Sequence, residues 1–232
     1  MKRDKVFLTF LFALSIFLQI YYFRGSPYYY EYGFSIGYSA EYTRPDAGTE
    51  LICVLLPLLF IIFLISGSIS KLTDGYGKLW IIRNYSKSKL FLKNTYKNIL
   101  IAAGATGLQV IVYYFFNDLF LPIEQGVGRS VLLYFLILHG IILLQSVLEL
   151  YMQPHIANIG IFIFSFASYF TAHIMTQHPI VKIILFPCLL FGMENGAIDN
   201  KEIYSLYLTA AVLLNITLLI IGLIKFRKTD IF

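Results

Sequence analysis

The sequence predicts an all-α membrane protein: six transmembrane helices plus a re-entrant helical hairpin between helices 5 and 6, in a single transmembrane domain over residues 1–232. Three observations carry this. Of 232 residues, 58% are hydrophobic and only 13% charged, where a soluble domain averages about 45–50% apolar and 25% charged. Most apolar residues fall in runs near the roughly 20 residues that a helix needs to cross a bilayer. The charges between those runs are sorted, basic on one side and acidic on the other. The net charge of +5 comes mostly from basic residues flanking the spans, where they orient the chain, and does not point to nucleic acid.

Met1–Lys5 is MKRDK, and an apolar run over 6–23 follows. That resembles the start of a signal peptide. The run, however, exceeds the usual apolar region of about 7–15 residues, and no small-x-small cleavage site follows it; Arg24-Gly25-Ser26-Pro27 comes instead. The run is therefore expected to be a retained first span entering from the cytoplasm. The connection over 24–50 is rich in tyrosine (Tyr28, Tyr29, Tyr30, Tyr32, Tyr38, Tyr42), with Glu31, Glu41, Asp46 and Glu50 against Arg24 and Arg44. Its acidic excess suits the outside. The tyrosines suit the membrane interface, apolar ring inward and hydroxyl outward, with contact to a substrate as the alternative.

The second span is 51–69, with Ser66-Gly67-Ser68 near its inner end marking a bend or close packing. Residues 74–97 form the sustained basic interruption: Lys78, Arg83, Lys87, Lys89, Lys93 and Lys97 against Asp74, and the single tryptophan, Trp80. The positive-inside rule puts this stretch in the cytoplasm. In the third span, 99–116, Ala103 and Gly107 stand four residues apart. Such spacing lets helix backbones approach in lipid; a contact within the subunit is the expected use and a dimer seam the alternative. An outer loop with Asp118 and Glu124 leads to the fourth span, 130–151. An inner turn over 152–158, marked by Pro154, leads to the fifth, 159–175.

Residues 180–194 are apolar but carry Lys182 near one end and Pro187 inside, and so short a run reads as re-entrant rather than spanning. The last span is 204–224, followed by Lys225-Phe226-Arg227-Lys228. Charge counting arbitrates between six spans and seven. With six, the inner side holds Lys2, Arg3, Lys5, Lys71, Lys78, Arg83, Lys87, Lys89, Lys93, Lys97, Lys225, Arg227 and Lys228, thirteen of the eighteen Lys and Arg. The outer side holds nine of the thirteen acids: Glu31, Glu41, Asp46, Glu50, Asp118, Glu124, Glu194, Asp199 and Glu202. The expectation is a multi-pass cell-membrane protein with both termini cytoplasmic.

Few groups inside the spans can carry chemistry. Gln109, His139, Gln145, Glu149, His173 and Asn215 are candidates for a substrate path or for helix contacts, because buried polar groups in lipid are costly. Glu149 lies near the inner end of its span, in reach of water. His139 and His173 can stay neutral and bond between helices, and contact between helices is the expected role. Cys53 and Cys188 have no metal spacing and read as small apolar packers, with a disulfide near the outer face as the alternative. No HExxH motif occurs, and no phosphate-cradling loop: Leu79 follows Gly77-Lys78, and Leu72 stands where its first glycine should be. No catalytic residue, metal or cofactor is therefore expected, and no dense array of intramembrane charge suggests a proton-driven pump. If the protein transports, the energy comes from a partner.

The stretch Gly75–Lys93, GYGKLWIIRNYSKSKLFLK, resembles the cytoplasmic segment after the second span in permease subunits of type-2 ABC exporters. It is most similar to small permeases of bacteriocin and peptide export or immunity in Gram-positive bacteria. Those carry an aromatic or leucine pair, then a basic-polar-Ser-(Lys/Arg)-x-Lys pattern; here Leu79-Trp80 precedes Arg83-Asn84-Tyr85-Ser86-Lys87-Ser88-Lys89. The resemblance extends to the expected architecture of the whole chain. It implies two permease subunits, as a homodimer or heterodimer, with ATP bound by a separate ABC ATPase subunit. It also implies export of a peptide or other amphipathic antimicrobial compound, and ATPase coupling through Leu79, Trp80, Ile82, Arg83, Lys87 and Lys89. Physically, a short helix with Leu79, Trp80, Ile81 and Ile82 beside basic residues can seat an apolar face in a partner's groove, with lysines on anionic membrane lipids. Two other readings stay open. One is an accessory or immunity protein that binds a toxin or partner without transport. The other is an intramembrane peptide-processing enzyme, which needs Cys188, His139 or His173 to converge.

Overall fold

In the computed structural model, residues 2–23, 47–73, 86–116, 127–174, 178–190 and 201–229 are described. Their regular structure is all helical: α1 (Lys2–Phe23), α2 (Ala47–Ile65), α3 (Ser70–Thr73), α4 (Lys87–Phe116), α5 (Val127–Leu148), α6 (Pro154–Ile174), α7 (Pro179–Ile184), a 3-10 turn (Phe186–Leu190) and α8 (Lys201–Lys228). Among the described residues, three stretches are long and apolar enough to cross a membrane: Leu55–Leu72, Gly128–Leu148 and Lys201–Lys228.

Each expected span coincides with a helix, but the ends differ for local reasons. Pro154 does not lie in a turn between helices. It opens α6, where its missing N–H would have been unpaired anyway. The expected cytoplasmic segment 74–97 runs into α4. Its last eleven residues, from Lys87 to Lys97, are already the first turns of α4, a 30-residue helix. Lysines and asparagines hide a helix start from hydropathy while opposing helix formation little.

Cross-helix contacts set the directions. Ile62 meets Gln145 and Gly67 meets Glu149, so α2 and α5 run parallel. Tyr204 reaches Arg129 and Asn215 reaches Leu136, so α8 runs parallel to α5. Asn98 meets Ser146 and Phe91 packs on Phe226, so α4 is antiparallel to both. Asn158, near the start of α6, bonds Ser66, just past the end of α2. One end of the bundle therefore gathers the last turns of α2, α5 and α8 and the first turns of α4 and α6. With its 21 residues, α6 reaches about 31 Å away from that end, where α8 begins. The connection from α6 to α8 thus starts and finishes at the far end. Within it α7 and the 3-10 turn are too short to cross, and Phe186, Pro187, Cys188, Leu189 and Leu190 are buried.

Helix α5 is the centre. Leu133, Ile137, Leu138, Ile141 and Ile142 are at most 1% exposed, sealed by α8, α4, α6 and the 3-10 turn. Around it, α4, α6 and α8 turn apolar residues outward, among them Ile111, Ile163 and Leu213. The small residues of α4 divide: Ala102 and Ala105 are buried in the core, while others face outward. Ala103 and Gly104 are exposed, and a Cβ on Gly104 or Gly107 would meet nothing within 4 Å. Cys188 is buried, its Sγ 3.7 Å from the Lys182 carbonyl oxygen, and the side chain of Cys53 lies outside the described residues.

Candidate functional site

The polar groups of the described residues concentrate where α2 ends. After Ile65 the chain turns through Ser66, Gly67 and Ser68, and Gly67 takes φ +67, a conformation that costs other residues roughly 1–2 kcal/mol. The turn leaves backbone N–H groups pointing away from any helix. The Glu149 carboxylate, at the end of α5, accepts two of them: Gly67 N–H at 2.8 Å on Oε1 and Ile69 N–H at 3.1 Å on Oε2. Lys71 adds an attractive positive charge. The group is 8% exposed, and the two backbone hydrogen bonds offset part of its lost hydration.

The other helices hold the same turn. One α-helical turn before Glu149, Gln145 donates to the Ile62 carbonyl at 2.9 Å and to Asn158 Oδ1 at 2.7 Å. Asn158 of α6 donates to Ser66 Oγ at 2.9 Å. Asn94 of α4 donates to Ser68 Oγ at 3.4 Å, and Asn98, four residues on, donates to Ser146 Oγ at 3.1 Å. Three helices thus grip one turn through side chains. Beside this knot lies an apolar plug of Ile69, Leu90, Phe91 and Phe226. Gly222 of α8 makes room for it: an added Cβ would fall on the Phe91 ring. Lys87 donates to the Thr229 carbonyl at 2.7 Å, capping the end of α8, and Lys225 sits 4.4 Å over the Tyr151 ring.

The arrangement fastens the chain on both sides of residues 74–85, which include Leu79, Trp80, Ile82 and Arg83 and lie outside the described residues. Of the expected coupling residues, Lys87 is turned to α8 and committed within the chain, while Lys89 is exposed. Among the intramembrane candidates, Gln145 and Glu149 belong to the knot. His139 and Asn215 bond each other at 2.8 Å. Asn215 Nδ2 donates to the carbonyls of Leu136 and Ala211, so its Oδ1 must accept, and His139 is assigned as the neutral Nδ1–H tautomer. That pair is a helix contact between α5 and α8. Gln109 is buried on α4, away from the knot. His173 lies in α6 with its side chain outside the described residues. No cluster of metal-ligating residues occurs among the described residues.

A family model described as "Protein of unknown function (DUF2705)" matches residues 8–232. The chain belongs to the DUF2705 family. It is also 24% identical over 192 residues to the uncharacterized protein YybK of Bacillus subtilis, covering 75% of this chain and 76% of the relative. No solved structure matches. The match to the DUF2705 model runs through α2, the Gly67 turn, α5 and α8, so all parts of the knot lie inside the family region. Asn94, Asn98 and Asn158 escape sequence reasoning. Each looks like an ordinary polar residue at a span's edge, although the four-residue spacing of Asn94 and Asn98 places both on one face.

Proposed function

We propose that this DUF2705 protein is the membrane-spanning permease subunit of an ATP-driven exporter. Residues 74–85 deliver force from a separate ABC ATPase, and a second permease subunit completes the path. The cargo is a peptide or other amphipathic antimicrobial compound. The chain crosses the cell membrane six times, with residues 178–190 dipping in from outside and both termini cytoplasmic. It hydrolyses nothing itself.

The observation that carries this reading is the grip on the Ser66–Ile69 turn. A segment that transmits work needs a stiff root, or its motion dissipates in the loop. Here the root is tied through Glu149, Asn158 and Asn94 to α5, α6 and α4. A push at 74–85 is thereby shared among helices with opposite directions, as opening a path between them requires. A loop that only orients the chain needs no such ties.

The test is co-purification from native membranes with Trp80→Ala or Arg83→Glu, followed by ATP turnover and peptide uptake into inverted vesicles. Buried aromatic and arginine anchors typically cost more than about 2 kcal/mol when removed. Each variant should shed a partner bearing a phosphate-cradling loop, or leave its ATP turnover uncoupled from uptake. Normal co-purification and uptake in both variants would sink the coupling assignment. Absence of any ATP-hydrolysing partner in the wild type would favour an accessory binding protein.

A further inference from the structure

The Gln145 amide faces more acceptors than it has hydrogens. Its Nε2 carries two, and both are used, on the Ile62 carbonyl at 2.9 Å and on Asn158 Oδ1 at 2.7 Å. Its side chain also bonds Glu149, one helical turn on. Its Oε1 is buried without a donor, in a residue 0% exposed. Turning the amide over does not help, because Oε1 would then face the Ile62 carbonyl oxygen. Neighbouring donors are committed: Asn158 Nδ2 to Ser66 Oγ, and the Gly67 and Ile69 N–H groups to Glu149. Glu149 itself supplies the missing hydrogen when its carboxyl carries a proton.

We propose that Glu149 is a proton-operated latch: it takes one proton from water and gives the new O–H to Gln145 Oε1, while its oxygens keep the Gly67 and Ile69 N–H groups. Losing that proton returns it to water and sets two acceptors, a carboxylate oxygen and Oε1, against each other. Gln145 is then pushed off its bonds to Ile62 and Asn158, and the turn at the root of 74–85 loosens. Glu149 stands just past the apolar stretch Gly128–Leu148, in reach of water. Burial favours its uncharged form, and the bonds from Gly67, Ile69 and Gln145 and the charge of Lys71 offset only part of that. The folded chain therefore holds the proton more tightly than the unfolded chain. The stability it contributes is present at low pH and is lost as pH rises above the ordinary glutamate range. Other charged groups on the elements packed here are His155 at the start of α6 and Lys93 and Lys97 on α4, all exposed, and Lys225 of α8, which lies over the Tyr151 ring. The latch does not depend on the export reading.

Infrared spectroscopy of the full chain in detergent, stepped from about pH 4 to about pH 9, tests this. The difference between wild type and Glu149→Gln should show a carboxylic acid C=O band. It should persist above the range in which exposed glutamates ionise and then vanish in one step. Across that step the wild type should lose thermal stability relative to Glu149→Gln, which cannot ionise. His155→Gln should leave both responses unchanged. Gln145→Met decides the role of Oε1. If Oε1 accepts the proton, this variant should move the step down by on the order of one pH unit, a tenfold weaker hold on the proton. If Gln145 only donates to an ionised carboxylate, the step should move up. A step that moves up or stays in place would overturn the latch, and so would a wild type with no acid band above the exposed range. Circular dichroism shows which variants remain helical, and Gln145→Leu replaces Gln145→Met where the latter does not fold.

Discussion

The Glu149 carboxylate holds the Gly67 N–H at 2.8 Å across 82 residues of sequence. Because it also holds the Ile69 N–H, one side chain satisfies two donors that a left-handed turn has removed from helical pairing. Glu149→Ala orphans both, and should lower stability by about 2–4 kcal/mol. Glu149→Gln keeps one acceptor and should cost roughly half as much. Thermal unfolding in detergent, followed by circular dichroism, measures both. Equal, negligible losses would mean the carboxylate bears no structural load.

Gly67→Ala probes the other partner. Its φ of +67 makes any Cβ unfavourable by about 1–2 kcal/mol, and the added carbon would also press on Ser70 Oγ at 3.2 Å. If turn and carboxylate act as one unit, Gly67→Ala combined with Glu149→Gln should cost less than the sum of the two, by at least about 0.5 kcal/mol. Strict additivity would show that they act separately.

Gly222→Ala should drive the Phe91 ring out of its place against Phe226, whose centroid lies 5.6 Å away. Overpacking of this kind costs about 1–3 kcal/mol. Phe91→Leu in the Gly222→Ala background removes the ring that the new methyl strikes. The double variant should therefore unfold at a higher temperature than Gly222→Ala alone, and the reverse order would refute the contact.

The helices were legible because hydropathy alone sets which segments pack in or beside lipid, and the six apolar runs each became a helix. The start of α4 was not, since Lys87, Asn94 and Lys97 read as part of a basic interruption between spans until Phe91, Thr95 and Asn98 are seen buried on one side. The Ser66-Gly67-Ser68 bend was visible in composition. Its partners were not: Glu149 and Asn158 lie 80 residues or more away in sequence, and nothing local marks a long-range hydrogen bond. The His139–Asn215 contact was legible in kind, as two polar groups in apolar helices that need partners, but not as a pair.

His139 and Asn215 make a sharper test because the Nδ1 of one pairs with the Oδ1 of the other inside the bundle. Asn215→Leu strands the Nδ1–H of His139 and should cost about 1–3 kcal/mol. Replacing both, His139→Leu with Asn215→Leu, removes donor and acceptor together and should recover part of that loss. A double variant less stable than Asn215→Leu alone would show that His139 is held for another reason.

The last prediction concerns which end of the bundle faces the cytoplasm. Contacts set α2, α5 and α8 parallel to one another and antiparallel to α4 and α6. Ser88, at the start of α4, and Lys228, at the end of α8, therefore lie at one end, and Lys201 lies at the other. The first of those ends carries Lys71, Lys87, Lys89, Lys93, Lys97, Lys225, Arg227 and Lys228. Such an excess keeps an end on the cytoplasmic side. Single cysteines at Ser88, Lys201 and Lys228, in a background with Cys53 and Cys188 replaced by alanine, separate the outcomes. An impermeant maleimide added to intact cells should label the cysteine at 201 and reach those at 88 and 228 only after lysis. Labelling of 228 without 201 or 88 would mean that residues 178–190 belong to a full crossing and that the parallel packing of α5 and α8 is wrong. Labelling of 88 and 228 without 201 would keep the bundle and invert it, placing 74–85 outside the cell and removing any route for an ATPase to reach it.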